Sequence, residues 1–182
     1  MSVKRPALFL DRDGVINIDY GYVYRPEDFV FIEGVFELCR AAQHQGYRII
    51  IITNQAGIGR GYYSESDFAF LTRWMLDRFS DNDIKIDAVY YSPYHPVHGI
   101  GAYKTDAPCR KPKPGMILQA ADDHAIDLAQ SLLIGDKASD IQAGQAAGVG
   151  RLILFQESPE DDCAQPDVLR VSSLKEIVNI FV

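Results

Sequence analysis

Short runs that are apolar at nearly every position recur along this chain: ALFL (7–10), RIIIIT (48–53), AVYYS (88–92), SLLIG (131–135) and RLILF (151–155). A run without polar alternation has no face to offer water, so as a strand it must be covered on both sides. The stretches between the runs have helical spacing. Val35, Leu38, Cys39 and Ala42 form one apolar stripe, with Gly46 following where that helix would stop. Ser64 and Asp67 have the pattern of a capping box ahead of a stripe through Phe68, Leu71 and Met75. Pro114 suits the start of a helix carrying Ile117, Ala120, Ala121 and His124, and 139–147 reads as another, closed by Gly148. Ser173 and Glu176 would cap a last helix after VLRV. Strand and helix alternate throughout. The expected fold class is α/β, a doubly wound, Rossmann-like parallel sheet of about five main strands with helices on both faces. The segment QESPEDDCAQPD (156–167) reads as the most loop-like, and with no repeat or linker in view, residues 1–182 are expected to form a single domain.

Ligands of such sheets gather at the carboxyl ends of the strands. The residues just after the apolar runs are therefore the informative ones. Asp11 and Asp13 follow the first, Thr53 and Asn54 the second, and Gly135, Asp136, Lys137 and Asp140 the fourth; CRKPKPG (109–115) adds Arg110, Lys111 and Lys113. Carboxylates gathered at one edge repel one another unless a cation is present, and hard oxygen ligands with few His or Cys favour Mg²⁺. Thr, Lys and Arg are donors suited to phosphoryl oxygens. In that setting Asp11 can attack phosphorus to form an aspartyl-phosphate, and Asp13 can move the protons. Gly14 would let backbone approach a ligand closely. Each feature alone has a plainer reading: a turn for D-x-D, helix caps for Asp136 and Asp140, a solvated loop for the basic stretch. Their common strand-end order favours a site. Gly57, Gly59 and Gly61 are spaced G-x-G-x-G after the second run, which does not fit a dinucleotide fingerprint and reads instead as a mobile substrate loop.

Charge sets the kind of partner. Lys plus Arg number 18 against 25 Asp plus Glu, a net charge of −7 that opposes binding to nucleic acid or anionic lipid. No apolar run approaches the roughly 20 residues that cross a bilayer, and the first residues have too short an apolar run for a secretory signal. Cys39, Cys109 and Cys163 are odd in number and widely spaced, as for reduced thiols in the cytoplasm. A cytoplasmic monomer with no nucleic-acid or membrane partner is expected.

Together DRDGVIN (11–17), DYGYV (19–23), TNQAGIGRG (53–61), CRKPKPGM (109–116) and GDKASDIQAG (135–144) resemble the haloacid dehalogenase-type phosphohydrolases. Within that family the likeness is to the subgroup acting on heptose bisphosphates, with the histidinol phosphatases as runner-up. The resemblance implies a phosphatase acting on a small-molecule sugar phosphate in the assembly of bacterial surface sugars. It makes Asp11 the nucleophile, Asp13 the general acid and base, and Thr53 and Lys111 the residues that steady the phosphoryl group. Mg²⁺ would be held by Asp11, Asp136 and the Asp13 carbonyl. Asp19, Tyr20, Gly21 and Tyr22, then Thr53, Asn54, Gln55 and Ala56, would meet the substrate; Arg110 would recognise it, and Lys137 and Asp140 would support the site. Lys113 would be a solvated neighbour.

Many members of the family hold the loop before C-R-K-P with zinc, but the matching positions here are Ser92, Tyr94, Ala107 and Cys109. One thiolate cannot make a tetrahedral site, so no structural zinc is expected; Pro93, Pro96 and Pro108 would order the loop by restricting φ. The spacing leaves no room for a cap domain. Specificity is therefore expected from 17–25, 55–63 and 93–110, with Tyr20, Tyr22, Arg60 and Arg110 facing a polar sugar and a second phosphate. A phospho-accepting receiver domain would share the fold and residue types, but its Asp belongs after the third strand and its Lys after the fifth.

Overall fold

The computed structural model describes residues 4–156 and 167–181. Each apolar run becomes a strand: β1 (Ala7–Leu10), β2 (Arg48–Asn54), β3 (Ala88–Ser92), β4 (Leu132–Gly135) and β5 (Arg151–Phe155). With β6 (Val168–Val171) they form one parallel sheet in the order β3-β2-β1-β4-β5-β6. The sixth strand goes beyond the expected set. Only Val171 of it is buried, so it is held by pairing with β5, from Leu152↔Val168 to Phe155↔Val171, and has no apolar run to announce it. Most of the loop-like segment, 157–166 with Cys163, lies outside the described residues.

The helices α1 (Val35–His44), α3 (Glu65–Ser80), α4 (Gly115–His124), α5 (Ala138–Ala147) and α6 (Leu174–Val178) fall where the periodicity and caps require, and a short α2 (Ala56–Gly59) forms where the sequence reads as a loop. The Ser64–Asp67 and Ser173–Glu176 capping boxes form as read, each contributing about 1 kcal/mol. Strand side chains alternate between two cores. Leu8, Leu10, Ile49, Ile51 and Ile134 pack with α1, α3 and α6, while Phe9, Ile50, Ile52 and Leu133 pack with α4 and α5. Coverage on both faces is what permits runs with no polar position. β3 is the exception: it is the other edge strand, and Ala88–Tyr91 are only half-buried.

The glycine-bearing segment after β2 is not a loose loop. Gly57, Ile58 and Gly59 are buried in α2; a Cβ on Gly57 would stand 2.2 Å from Tyr63 Cε1, and one on Gly59 2.4 Å from the Pro93 carbonyl oxygen. These glycines serve close packing, which sequence spacing does not distinguish from mobility. Among the described residues the segments joining β1, β2 and β3 contain helices and turns but no further sheet, as expected without a cap. Chain progression reverses direction at β1, with β2 and β3 to one side and β4, β5 and β6 to the other. The crevice of a doubly wound sheet opens at that point.

Candidate active site

Asp11 is the first residue beyond β1, and its N–H still bonds the Ile134 carbonyl of β4 at 3.1 Å. That bond sets it beside the end of β4, where Asp136 emerges. The chain then turns sharply, with Gly14 N–H donating to the Asn17 carbonyl at 2.7 Å. Gly14 has φ +91°, and a Cβ there would lie 2.2 Å from Asp136 Oδ2. Only glycine lets the two strand ends close together here.

Lys111 enters from the other side. Its ammonium is within 2.8 Å of Asp11 and 2.7 Å of Asp140, and it donates to the Ile52 carbonyl at 3.0 Å. The residue is 3% exposed. Three acceptors use its three protons. Burial opposes its charge, but Asp11 and Asp140 outweigh burial and hold the ammonium above its ordinary pKa. The backbone carrying it is clamped by Asn54, whose side chain donates to the Lys111 carbonyl and accepts from its N–H, at 3.0 and 3.1 Å.

Asp11, Asp136 and Asp140 bring carboxylate oxygens within 4.8 Å of one another. Burial pushes the Asp11 carboxyl well above its usual range, against the pull of Lys111 and reinforced by Asp140 and Asp136. Burial likewise raises Asp136 from 3.8 to about 6. Asp140 has both oxygens occupied, Oδ1 by Lys111 and Oδ2 by the Lys137 N–H at 3.0 Å. Asp136 Oδ1 is buried with no partner. An all-oxygen set with one orphaned carboxylate atom and a deficit of positive charge fits a hard divalent cation such as Mg²⁺, with Asp11 and Asp136 as its side-chain donors.

The Asp13 side chain is directed elsewhere. Arg12 grips it through Nη2 at 2.9 Å to each oxygen and Nε at 3.2 Å to Oδ1; Asn17 Nδ2 donates to Oδ1 and Gln55 Nε2 to Oδ2, both at 3.0 Å. This leaves only its main chain for a cation. Gln55 Nε2 also donates to Thr53 Oγ1 at 2.8 Å, so the buried Thr53 hydroxyl keeps its own proton to give away.

Most of these groups face a cleft of about 500 Å³. Asp11, Asp13, Lys111 and Asp140 lie in it with Asn54, Gln55 and Ala56 of the second strand end and with Asp19, Gly21 and Tyr22 of the turn after β1. Arg110, Lys137, Tyr63, Pro112 and Ser139 also line it; of the predicted residues Thr53 is buried and does not line the cleft, and Asp136 lines an adjoining groove that shares Asp19. Lys137 pairs with Asp19 at 3.0 Å across the opening. Arg60 donates to the Tyr22 hydroxyl at 2.8 Å, and Arg110 to the Tyr94 carbonyl at 3.0 Å. Tyr20 does not join them. It is 63% exposed and lines a separate groove with Val30, on a wall of which Gly21 and Tyr22 also lie. Lys113 is half-exposed and pairs with Asp106 at 2.6 Å.

Comparison with known proteins bears on the same segments. A family model described as HAD-hydrolase-like matches residues 108–168. A Vibrio cholerae protein named D-glycero-beta-D-manno-heptose-1,7-bisphosphate 7-phosphatase is 56% identical over 154 residues, covering 85% of this chain and 83% of its own. A Burkholderia mallei protein named for the alpha anomer is 59% identical over 153 residues, covering 84% and 81%. The chain belongs to the HAD-like hydrolases. Its fold matches that of a D,D-heptose 1,7-bisphosphate phosphatase from B. bronchiseptica, solved with magnesium and phosphate, at a TM-score of 0.85 and 24% identity over 96% of this chain and 97% of that one. Like its curated relatives, this HAD-like protein is a phosphoric monoester hydrolase.

Three features of this HAD-like site go beyond the strand-end reading: the Arg12 and Asn17 grip on Asp13, and Tyr63 at the cleft wall. Arg12 gave a weak signal as an arginine set between two acids; Tyr63 gave none. The raised Asp136 pKa has a measurable consequence. Between pH 3.8 and about 6 the folded, metal-free protein binds a proton that the unfolded chain releases, so this group's contribution to stability falls as pH rises through that window. A cation must displace that proton. Mg²⁺ is therefore expected to raise Tm more at about pH 7.5 than at about pH 5, read by thermal denaturation with and without the metal. An equal shift at both pH values would contradict Asp136 as a ligand.

Proposed function

We propose that this HAD-like hydrolase removes the C7 phosphate of D-glycero-D-manno-heptose 1,7-bisphosphate through a phosphorylated Asp11. The observation that carries the reading is Asp11 fixed by buried Lys111 on the floor of a cleft that also holds Asp13. The names of the curated relatives supply the substrate. Asp11 attacks phosphorus, the bond from phosphorus to the C7 oxygen breaks, and Asp13 gives that oxygen its proton. Water then attacks the aspartyl-phosphate, Asp13 takes the water's proton, and inorganic phosphate leaves with Asp11 restored. Lys111 orients Asp11 and favours its ionised form against burial, and Thr53 donates its free hydroxyl proton to a phosphoryl oxygen. Mg²⁺ held by Asp11, Asp136 and the Asp13 carbonyl would offset the charge of the phosphoryl oxygens. Arg110 on the cleft wall and Arg60, bonded to the Tyr22 hydroxyl, suit the second phosphate.

The test is phosphate release from both heptose bisphosphate anomers, histidinol phosphate and glucose 6-phosphate. One or both heptose anomers are expected to give the highest kcat/KM. EDTA should abolish turnover, with Mg²⁺ but not Zn²⁺ restoring it. Faster turnover of histidinol phosphate would transfer the assignment to that substrate. Stoichiometric zinc in the purified protein would overturn the expectation of a metal-free loop around Cys109.

A further inference from the structure

We infer that Tyr63 is a positioning residue for the proton-transfer step, acting through Gln55 on Asp13; this rests on the reading of Asp13 as general acid. The Gln55 amide sits between two groups of the reaction. Its nitrogen uses both protons, one to Asp13 Oδ2 at 3.0 Å and one to Thr53 Oγ1 at 2.8 Å. That arrangement holds only while the nitrogen, not the oxygen, faces them. A flipped amide would set its carbonyl oxygen against the Asp13 carboxylate and leave Thr53 without its donor. The Asp13 carboxylate, which only accepts, requires the nitrogen on its side, and the Tyr63 hydroxyl anchors the other end of the amide by donating to Gln55 Oε1.

Tyr63 is built to do this. It is 7% exposed; its ring stacks on Tyr24 with centroids 5.2 Å apart and planes within 5°. Its ring edge occupies the space a Cβ on Gly57 would need, 2.2 Å from Cε1. Packing thus fixes the ring, and the hydroxyl has its acceptor before substrate arrives. Burial raises the Tyr63 pKa, so the hydroxyl stays a donor at working pH. Asp13 Oδ1 is already held by Arg12 and Asn17. Gln55 and Arg12 Nη2 are what hold Oδ2, and Tyr63 fixes the position of the Gln55 amide that does so.

An acid that is out of place harms departure of a poor leaving group and hardly affects one that leaves without a proton. The experiment compares kcat/KM, which reports transfer to Asp11, for heptose bisphosphate and for p-nitrophenyl phosphate. In Tyr63→Phe, which removes the hydroxyl and keeps the ring, the sugar-to-aryl ratio of kcat/KM is expected to fall about tenfold, the loss of a positioning hydrogen bond. Asp13→Asn should lower the same ratio further. In Gln55→Leu, adding Tyr63→Phe should change the ratio no more, since both act through one contact. If Asp13→Asn leaves the ratio intact, Asp13 is not the acid and the underlying reading fails. If Asp13→Asn lowers it and Tyr63→Phe does not, or if Tyr63→Phe slows both substrates equally, the role of Tyr63 fails alone.

Discussion

Asp11→Asn is expected to abolish phosphate release, by about 10⁴-fold or more, while the protein stays folded. The amide keeps the shape of the carboxyl but cannot form the acyl phosphate, and loss of a nucleophile removes a whole reaction path. Stability should survive, because Lys111 retains Asp140 and the Ile52 carbonyl. The substitution also relieves a buried charge whose pKa burial has raised. Thermal denaturation without metal should therefore give a Tm no lower than that of the parent protein. Residual turnover at a few per cent would remove Asp11 as nucleophile. An unfolded variant would mean that Asp11 does more for the fold than its contacts indicate.

Lys111→Met is expected to fail differently, losing both turnover and stability. The ammonium is the cation between Asp11 and Asp140 and is almost wholly buried. Removing one side of such a cluster leaves charges without compensation, at a cost of about 3–5 kcal/mol. For a chain of this size that is a Tm drop on the order of 10 °C. Adding Asp140→Asn to Lys111→Met should recover part of the stability and none of the activity. Denaturation and phosphate release measured on the three proteins check this. An unchanged Tm in Lys111→Met would show that water or rearranged protein already screens these acids.

The two substitutions separate what could be read along the chain from what could not. The runs of β1, β2, β4 and β5 were legible because a strand covered on both faces has no polar position. The site was legible in outline because topology sends strand ends to one edge, where Asp11, Thr53 and Asp136 stand. β6 was not, since an edge strand of mixed polarity survives by pairing alone. That Tyr22 and not Tyr20 lines the cleft was not legible either, since which residue of a surface turn faces a cleft depends on the fold around it. The glycines of α2 read as freedom and proved to be close contact with Tyr63 and Pro93.

By itself the sequence determined the α/β alternation, the caps and the kinds of group available at each strand end, because these depend on local spacing and on burial that any compact state must satisfy. Tertiary structure decided how each acid is compensated. By residue type alone Asp136 and Asp140 read alike in GDKASD, and only the resemblance separated them; in the fold Lys111 and the Lys137 N–H occupy both oxygens of Asp140 and leave Asp136 Oδ1 unpartnered. The physical reason is that electrostatic role depends on separations of a few ångströms between residues far apart in the chain, and those distances exist only once the sheet has formed.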